Sequence, residues 1–385
     1  MISSSSGLCV RPWLRLGALS REFSIDCNAL VADGLRSCTR RACLVMEDHV
    51  RNRRLALAGA LAFVWLAPIF LRGQPPSTTA TAPGKTSWKV PRTPWGDPDL
   101  QGIWNNSTTT PLERPASAKG KEFLTARETA ERDERAERTA DDAPAVGDPG
   151  TYNGFWFDRG KSLTRTSLIV DPPDGRLPPY TPDAQKRLAS RAESRRRQGP
   201  EPADGPEDRN LAERCITRGA PKLPGGYNNN FQVVQTPQYV AILQEMIHDV
   251  RIIPLDKRPH IDSRIRLWLG DSRAHWDGNT LVVDTTNYDE RIVDNSFNCC
   301  RGAGANLHVI ERFTRVDADT IDFRYTVDDP TTWTKSWTAA VPMTRTDEPI
   351  YEYACHEGNY GLAGILRGAR VLEKVASGNP SREKQ

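Results

Sequence analysis

Residues 270–287 read GDSRAHWDGNTLVVDTTN, two alternating runs flanking Asp277-Gly278-Asn279. Asp-Gly and Gly-Asn are dipeptides of tight hairpin turns, because these residues reach the positive φ that such turns demand at least cost. Either placement of the turn pairs the two arms in the same sense. One face then holds Ser272, Ala274, Trp276, Leu281, Val283, Thr285 and Asn287; the other holds Asp271, Arg273, His275, Val282, Asp284 and Thr286. The first face is the more apolar and predicts the core, which leaves Arg273 and His275 at the surface.

Outward from this hairpin, β-branched and aromatic runs recur at 231–235, 239–246, 250–255, 265–276, 280–288, 307–316, 320–328, 333–344 and 350–356, each bounded by turn residues. Short strands at this spacing predict an antiparallel meander. Because an open twisted sheet of that length leaves its edges exposed, the expectation is a mainly β, up-and-down, lipocalin-like barrel of about eight to nine strands over 231–385. Residues 362–374 (LAGILRGARVLEK) predict a short closing helix. Ahead of the barrel, 83–230 predicts an irregular, partly helical extension. In it, WGDPDLQGIW (95–104) reads as a turn into a docking segment with two buried Trp, 121–139 as a solvated helix, and 183–197 as a second helix.

The hairpin of 307–328 decides which polar groups enter the barrel. A turn at Ala318-Asp319, or over residues 317–320, sets Val316 opposite Ile321 and puts His308, Ile310, Arg312, Thr314, Val316, Ile321, Phe323, Tyr325 and Val327 on one mostly apolar face. That face is expected inward. The other carries Val309, Glu311, Phe313 and an Arg315–Asp322 cross-strand pair. An inward Arg312 requires a carboxylate or a ligand anion beside it, since a lone buried charge costs several kcal/mol. A three-residue loop with a bulge inverts this assignment, and no Gly marks one.

The N-terminal region reads differently. The apolar run 55–71 (LALAGALAFVWLAPIFL), preceded by Arg51, Arg53 and Arg54 and followed by a Pro/Ser/Thr-rich tract, has the layout of a secretory signal spanning 46–82. An uncleaved anchor is the alternative and the only membrane contact expected. Residues 1–45 fit no such layout and read as a non-native extension, with Met46 the better start. Up to Ala82 lie 10 of the 52 basic and 5 of the 49 acidic residues, leaving 42 against 44 and a net charge of −2. That balance offers nucleic acid no electrostatic footprint. Of eight Cys, four follow the signal: Cys215, Cys299, Cys300 and Cys355. Export permits disulfides; Cys215 with Cys355 is the expected pair, and a bond between the adjacent Cys299 and Cys300 would be strained.

Tyr, Cys, His and Glu gather in 351–360 (YEYACHEGNY), each able to donate, accept or bind metal. Strand parity separates Glu352, Ala354 and His356 from Tyr351, Tyr353, Cys355 and Glu357, and His356 at the strand end is the candidate kept. Glu245 and His248 beside the turn at 246–249 join it if that turn lines the same mouth. His308 and Glu311 fail as a metal pair, because an odd separation sends them to opposite faces of a strand. Histidines 248, 308 and 356 from three strands remain a conceivable metal set without a compact motif. There is no G-x-S-x-G, no phosphate-cradling loop and no dinucleotide fingerprint, so no cofactor is named. Asp328-Asp329-Pro330 reads as a turn cap.

The stretches WGDPDLQGIW, GDSRAHWDGNTLVVDTTN and YACHEGNYG (353–361) resemble those of a large group of uncharacterised exported bacterial proteins, over most of residues 90–370. The resemblance implies export and a lipocalin-like, β-rich body, and carries no catalytic residue; Asn298-Cys299-Cys300 reads as a local insertion. The expected function is an exported carrier of a small apolar or aromatic molecule, with Arg312, Tyr325 and His308 as polar contacts. The alternatives are an acid–base enzyme (lyase, isomerase or hydratase) in the same cavity, with His356 or His308 as base, Glu245 or Glu357 as its partner and Arg312 on an oxyanion, and a structural cell-envelope protein with a filled barrel.

Overall fold

The computed structural model describes residues 88–140, 157–198, 202–294 and 299–377. The expected extension 1–45 and signal 46–82 lie outside the described residues, within which no helix is long and apolar enough to cross a membrane. Eleven strands form one antiparallel sheet: β1 (Gly102–Asn105), β2 (Ile169–Asp171), β3 (Asn230–Gln235), β4 (Tyr239–Gln244), β5 (Val250–Pro254), β6 (Asp271–Asp277), β7 (Thr280–Thr286), β8 (His308–Arg315), β9 (Thr320–Asp328), β10 (Trp337–Ala340) and β11 (Met343–Thr346). Helices α1 (Ala126–Ala140), α2 (Pro182–Gln198) and α3 (Tyr360–Ala376) sit where the sequence predicts them.

The ladder runs β5-β4-β3-β1-β11-β9-β8-β7-β6, two meanders joined through β1 and β11. The segment expected to be an extension therefore supplies a central strand. Trp104 explains its place: the ring is fully buried and its Nε1 donates to the Leu100 carbonyl at 2.9 Å. Gln235 on β3 fixes the approach, accepting from Leu100 N at 2.7 Å and donating to Pro98 O at 3.0 Å. Trp95, expected to be buried, is exposed. The run 333–344 divides into β10 and β11 at Val341-Pro342, because proline has no N–H to give a ladder. β10 pairs the second half of β9 and β11 its first residues. Residues 350–356 form no strand.

The two end strands, β5 and β6, lie side by side without a ladder between them, so the expected closed barrel is not formed by backbone pairing. The hairpin β6–β7 has the expected register, Ser272 opposite Thr285, Ala274 opposite Val283 and Trp276 opposite Leu281, with His275 exposed. The next hairpin departs from expectation. Val316 N–H bonds Thr320 O at 3.0 Å, so Asp317-Ala318-Asp319 is a three-residue loop and Arg315, not Val316, faces Ile321. No glycine is needed: the Arg315 guanidinium collects the loop carbonyls of Asp317 (3.3 Å) and Ala318 (2.7 Å). The shift turns β8 over. Val309, Glu311, Phe313 and Arg315 point inward with Ile321, Phe323, Tyr325 and Val327, while His308 and Arg312 lie on the outer face. Arg312 meets only Asp277, at 3.3 Å on the surface, and Asp322 pairs Arg324 rather than Arg315.

The charge expected inside is present with the opposite sign. Glu311 is fully buried and takes both Arg251 Nη groups, at 2.5 and 2.9 Å, from β5 across the interior. Around it the inner face is aromatic: Phe313 stacks on Phe323 at 4.5 Å, and Trp337 meets Tyr325 and Trp333 edge-on at 5.9 and 5.8 Å. Helix α1 begins with a capping box in which Thr125 Oγ1 accepts from Glu128 N and Glu128 Oε2 accepts from Thr125 N.

Candidate functional site

A cavity of about 1010 Å³ opens where β1, β3 and β4 meet the loop after β11. Its lining is chemically uniform in kind: the carboxylates Asp158, Glu245 and Glu348, the amides Asn105, Asn228 and Asn230, and the tyrosines Tyr227, Tyr351 and Tyr353, with Pro349. Strand ends supply Asn105 and Asn230, which face each other across the β1–β3 ladder and bond at 2.9 Å. Asn105 also donates to Asp158 at 2.8 Å, and Glu245 accepts from Asn230 N at 3.3 Å. Asn228 holds a positive φ of 52°, a conformation that asparagine tolerates better than most residues.

Behind this wall lies a buried polar layer. Asn229, with no exposed surface, donates to Asp158 O and Gly225 O and accepts from Gly225 N and Lys222 Nζ, the last at 3.0 Å. Burial pushes the Lys222 amine down to about 7; the Arg218 charge adds to this, while Glu245 and Asp158 oppose it. Arg218 donates to the hydroxyls of Tyr227 and Tyr353, tying together two cavity tyrosines from distant segments. Burial likewise raises Asp249 to about 6, against the hydrogen bonds it accepts from Thr217 Oγ1 and Arg218 N.

The loop 351–359 is shaped from outside. Cys215 and Cys355 form the expected disulfide, with Cα atoms 5.7 Å apart, and Asn359 donates to Glu213 O at 2.7 Å. Tyr353 O lies 3.0 Å from His248 Nδ1. A second cavity, of about 550 Å³, lies beyond Tyr353, which lines both; its other walls include Cys215, Arg218, Cys355 and Asn359. Cys299 and Cys300, expected to stay apart, are joined to each other.

Of the predicted site residues, the structure brings Glu245 and His248 together with the 351–359 loop. His356 lies in an exposed turn, where its carbonyl accepts from Asn359 N. Tyr325 is inside the sheet at 1% exposure, its hydroxyl unpartnered; burial and then the Glu311 charge raise its pKa. Arg312 and His308 are on the outer face. His308 Nε2 lies 2.9 Å from Asp284 Oδ1, which also meets His260 Nε2 at 3.1 Å, and His260 Nδ1 meets Asp271 at 2.8 Å. The Asp284 hydrogen bond raises the His308 pKa. The three histidines 248, 308 and 356 do not assemble, and among the described residues no group of His, Cys, Asp and Glu is placed to hold a metal ion.

Sequence reasoning missed Asp158, Lys222, Arg218 and the asparagines; the run GGYNNN at 225–230 was the available signal, an unusual density of amides before a strand. The three motif stretches fall on structurally distinct parts: 95–104 leads into β1, 270–287 forms β6–β7, and 353–361 walls the two adjoining cavities. In comparisons with known proteins, no family model, no curated protein and no solved structure matches this chain.

Proposed function

We propose that the protein binds a hydroxyl-rich small molecule, a mono- or disaccharide or related polyol, in the cavity between Asn230 and Tyr353. The observation that carries this is the lining itself. Carboxylates and amides offer acceptors and paired donors to hydroxyl groups, while tyrosine faces take the apolar face of a sugar ring. Three carboxylates disfavour an anion. The lining also departs from what a purely apolar ligand would need, so the apolar or aromatic molecule of the sequence reading narrows to one with polar edges. In the same reading the sheet is a lipocalin-like barrel left open between β5 and β6, supported by the Arg251–Glu311 bridge across its interior. Residues 46–82 export the chain, consistent with its Cys215–Cys355 bond.

An acid–base reaction in this cavity is the second reading, favoured by one observation: Lys222, held near neutrality, stands one asparagine behind the wall. Calorimetric titration against a panel of saccharides and polyols, with a fatty acid and retinol as apolar controls, tests the first reading. Saccharide binding that falls about three- to tenfold in Tyr353→Ala supports it. Binding confined to the apolar controls refutes it. Conversion of any panel member, followed by NMR and abolished in Lys222→Met, would select the enzyme.

A further inference from the structure

Helix α3 is fastened to the protein on one side and bare on another. Asn359 caps it, accepting from Leu362 N at 3.2 Å and donating to Glu213 O at 2.7 Å. Arg370 donates to Asp204 O at 2.7 Å and Ala203 O at 3.0 Å, and also pairs with Glu373. Leu362, Leu366 and Ala369, half-buried, share that side, and no residue of the helix is fully buried. At about 100° per residue, positions 360, 361, 364, 365, 368, 371, 372 and 375 occupy one continuous sector of about 140°. Every one of them is exposed, and none is charged. Its large members are Tyr360, Ile365, Val371, Leu372 and Val375, of which Leu372 and Val375 leave 71 and 64% of their surface bare.

A contiguous apolar strip left in water marks an interaction surface. Charge and shape say what covers this one. Lys374 and Arg367 follow one another along the edge of the strip beside Tyr360, both exposed and without an ion pair among the described residues, while the helix's only acid, Glu373, is taken by Arg370. The border is therefore cationic. A side chain at Gly361, Gly364 or Gly368 would meet nothing within 4 Å, so the strip is open and convex instead of one wall of a groove. It is also small: 17 residues make it about 25 Å long and 10 Å wide, about 250 Å², against the roughly 800 Å² per partner of a stable protein interface. A fluid anionic surface needs neither shape complementarity nor a large footprint. We propose that α3 lies flat on anionic phospholipid bilayers, its apolar strip at the boundary of headgroups and acyl chains and Arg367 and Lys374 against lipid phosphates. This surface is separate from the polyol cavity and does not depend on it.

The test follows hydrogen exchange at 360–376 in the full chain as vesicles are added, a local reading that separates α3 from any attachment through the apolar run 55–71. Vesicles of phosphatidylcholine mixed with phosphatidylglycerol slow exchange there, and pure phosphatidylcholine needs about tenfold or more lipid for the same effect. Arg367→Gln/Lys374→Gln removes that preference. Leu372→Glu, on the bare side of the helix, raises the lipid requirement about tenfold or more while leaving the melting curve of the protein unchanged. Gly364→Leu adds apolar surface to the strip and binds vesicles at least as tightly as the parent. Exchange unmoved by vesicles, or slowed equally in the parent and Leu372→Glu, overturns the proposal. So does slowing that follows protein concentration without lipid and vanishes in Gly364→Leu, which marks a second copy of the chain packed closely on the strip.

Discussion

Replacing Glu311 by Gln discriminates sharply between the two possible faces of β8. The carboxylate is 1% exposed, the Arg251 guanidinium 6%, and two hydrogen bonds join them in a bidentate pair. Removing one partner of such a pair leaves a buried cation uncompensated and costs about 3–5 kcal/mol; Gln retains one acceptor, so about 3 kcal/mol is expected. That is a large part of the roughly 5–15 kcal/mol that holds a folded domain together. The double variant Arg251→Met/Glu311→Met, which removes both charges at similar volume, should lie within about 1 kcal/mol of the parent or above it. Urea unfolding of the parent, Arg251→Met, Glu311→Met and the double variant measures the cycle, with Glu311→Gln beside them. A Glu311→Gln loss below about 1 kcal/mol, or a double variant as unstable as the sum of the singles, would show that the pair is not buried and coupled as described. Arg312→Ala is the internal control. Its partner Asp277 is 66% exposed, and a surface pair of this kind contributes about 0–1 kcal/mol.

Two titrations and a redox experiment extend the set. Lys222 has a folded pKa near 7, below its ordinary 10.5, so the unfolded chain binds the proton more readily and stability should rise with pH from about 7 to 10.5; Lys222→Met should flatten that limb of a pH–stability curve. Asp249 is shifted the other way, from 3.8 to about 6, so the folded chain holds the proton and stability should fall as pH rises through 4 to 6; Asp249→Asn, which cannot ionise, should remove that slope in urea unfolding at each pH. Opening Cys215–Cys355, which spans 140 residues, removes a constraint worth about 5 kcal/mol in the chain-entropy model; melting Cys215→Ser/Cys355→Ser beside the parent measures it, and a shift of only a degree or two would count against the bond.

The contrast between the two hairpins explains which parts of the fold were legible. At 277–279 the turn chemistry is local: Gly278, at φ 61°, and Asn279 close a two-residue turn, and every inward position of β6–β7 follows from that register. At 317–319 loop length is decided by Arg315, whose guanidinium reaches back to the loop carbonyls and forward to Asp99 O at 3.0 Å, a residue far away in the chain. No local pattern encodes that. The one-residue difference exchanged Arg312 for Glu311, yet the demand for a compensated inward charge held in either register, because it depends on the cost of burying an ion and not on its sign. The site divides along the same line. Composition drew attention to 351–360, but strand parity was the wrong instrument for a segment that is fastened as a loop by Cys215, Arg218 and Glu213. Its chemical partners, Asp158, Asn105 and the asparagines of 228–230, arrive from three separate stretches, and only the sheet order that places β1 beside β3 brings them to one cavity. A sequence reading that leaves β1 outside the sheet therefore cannot assemble this site, however well it identifies the individual residues.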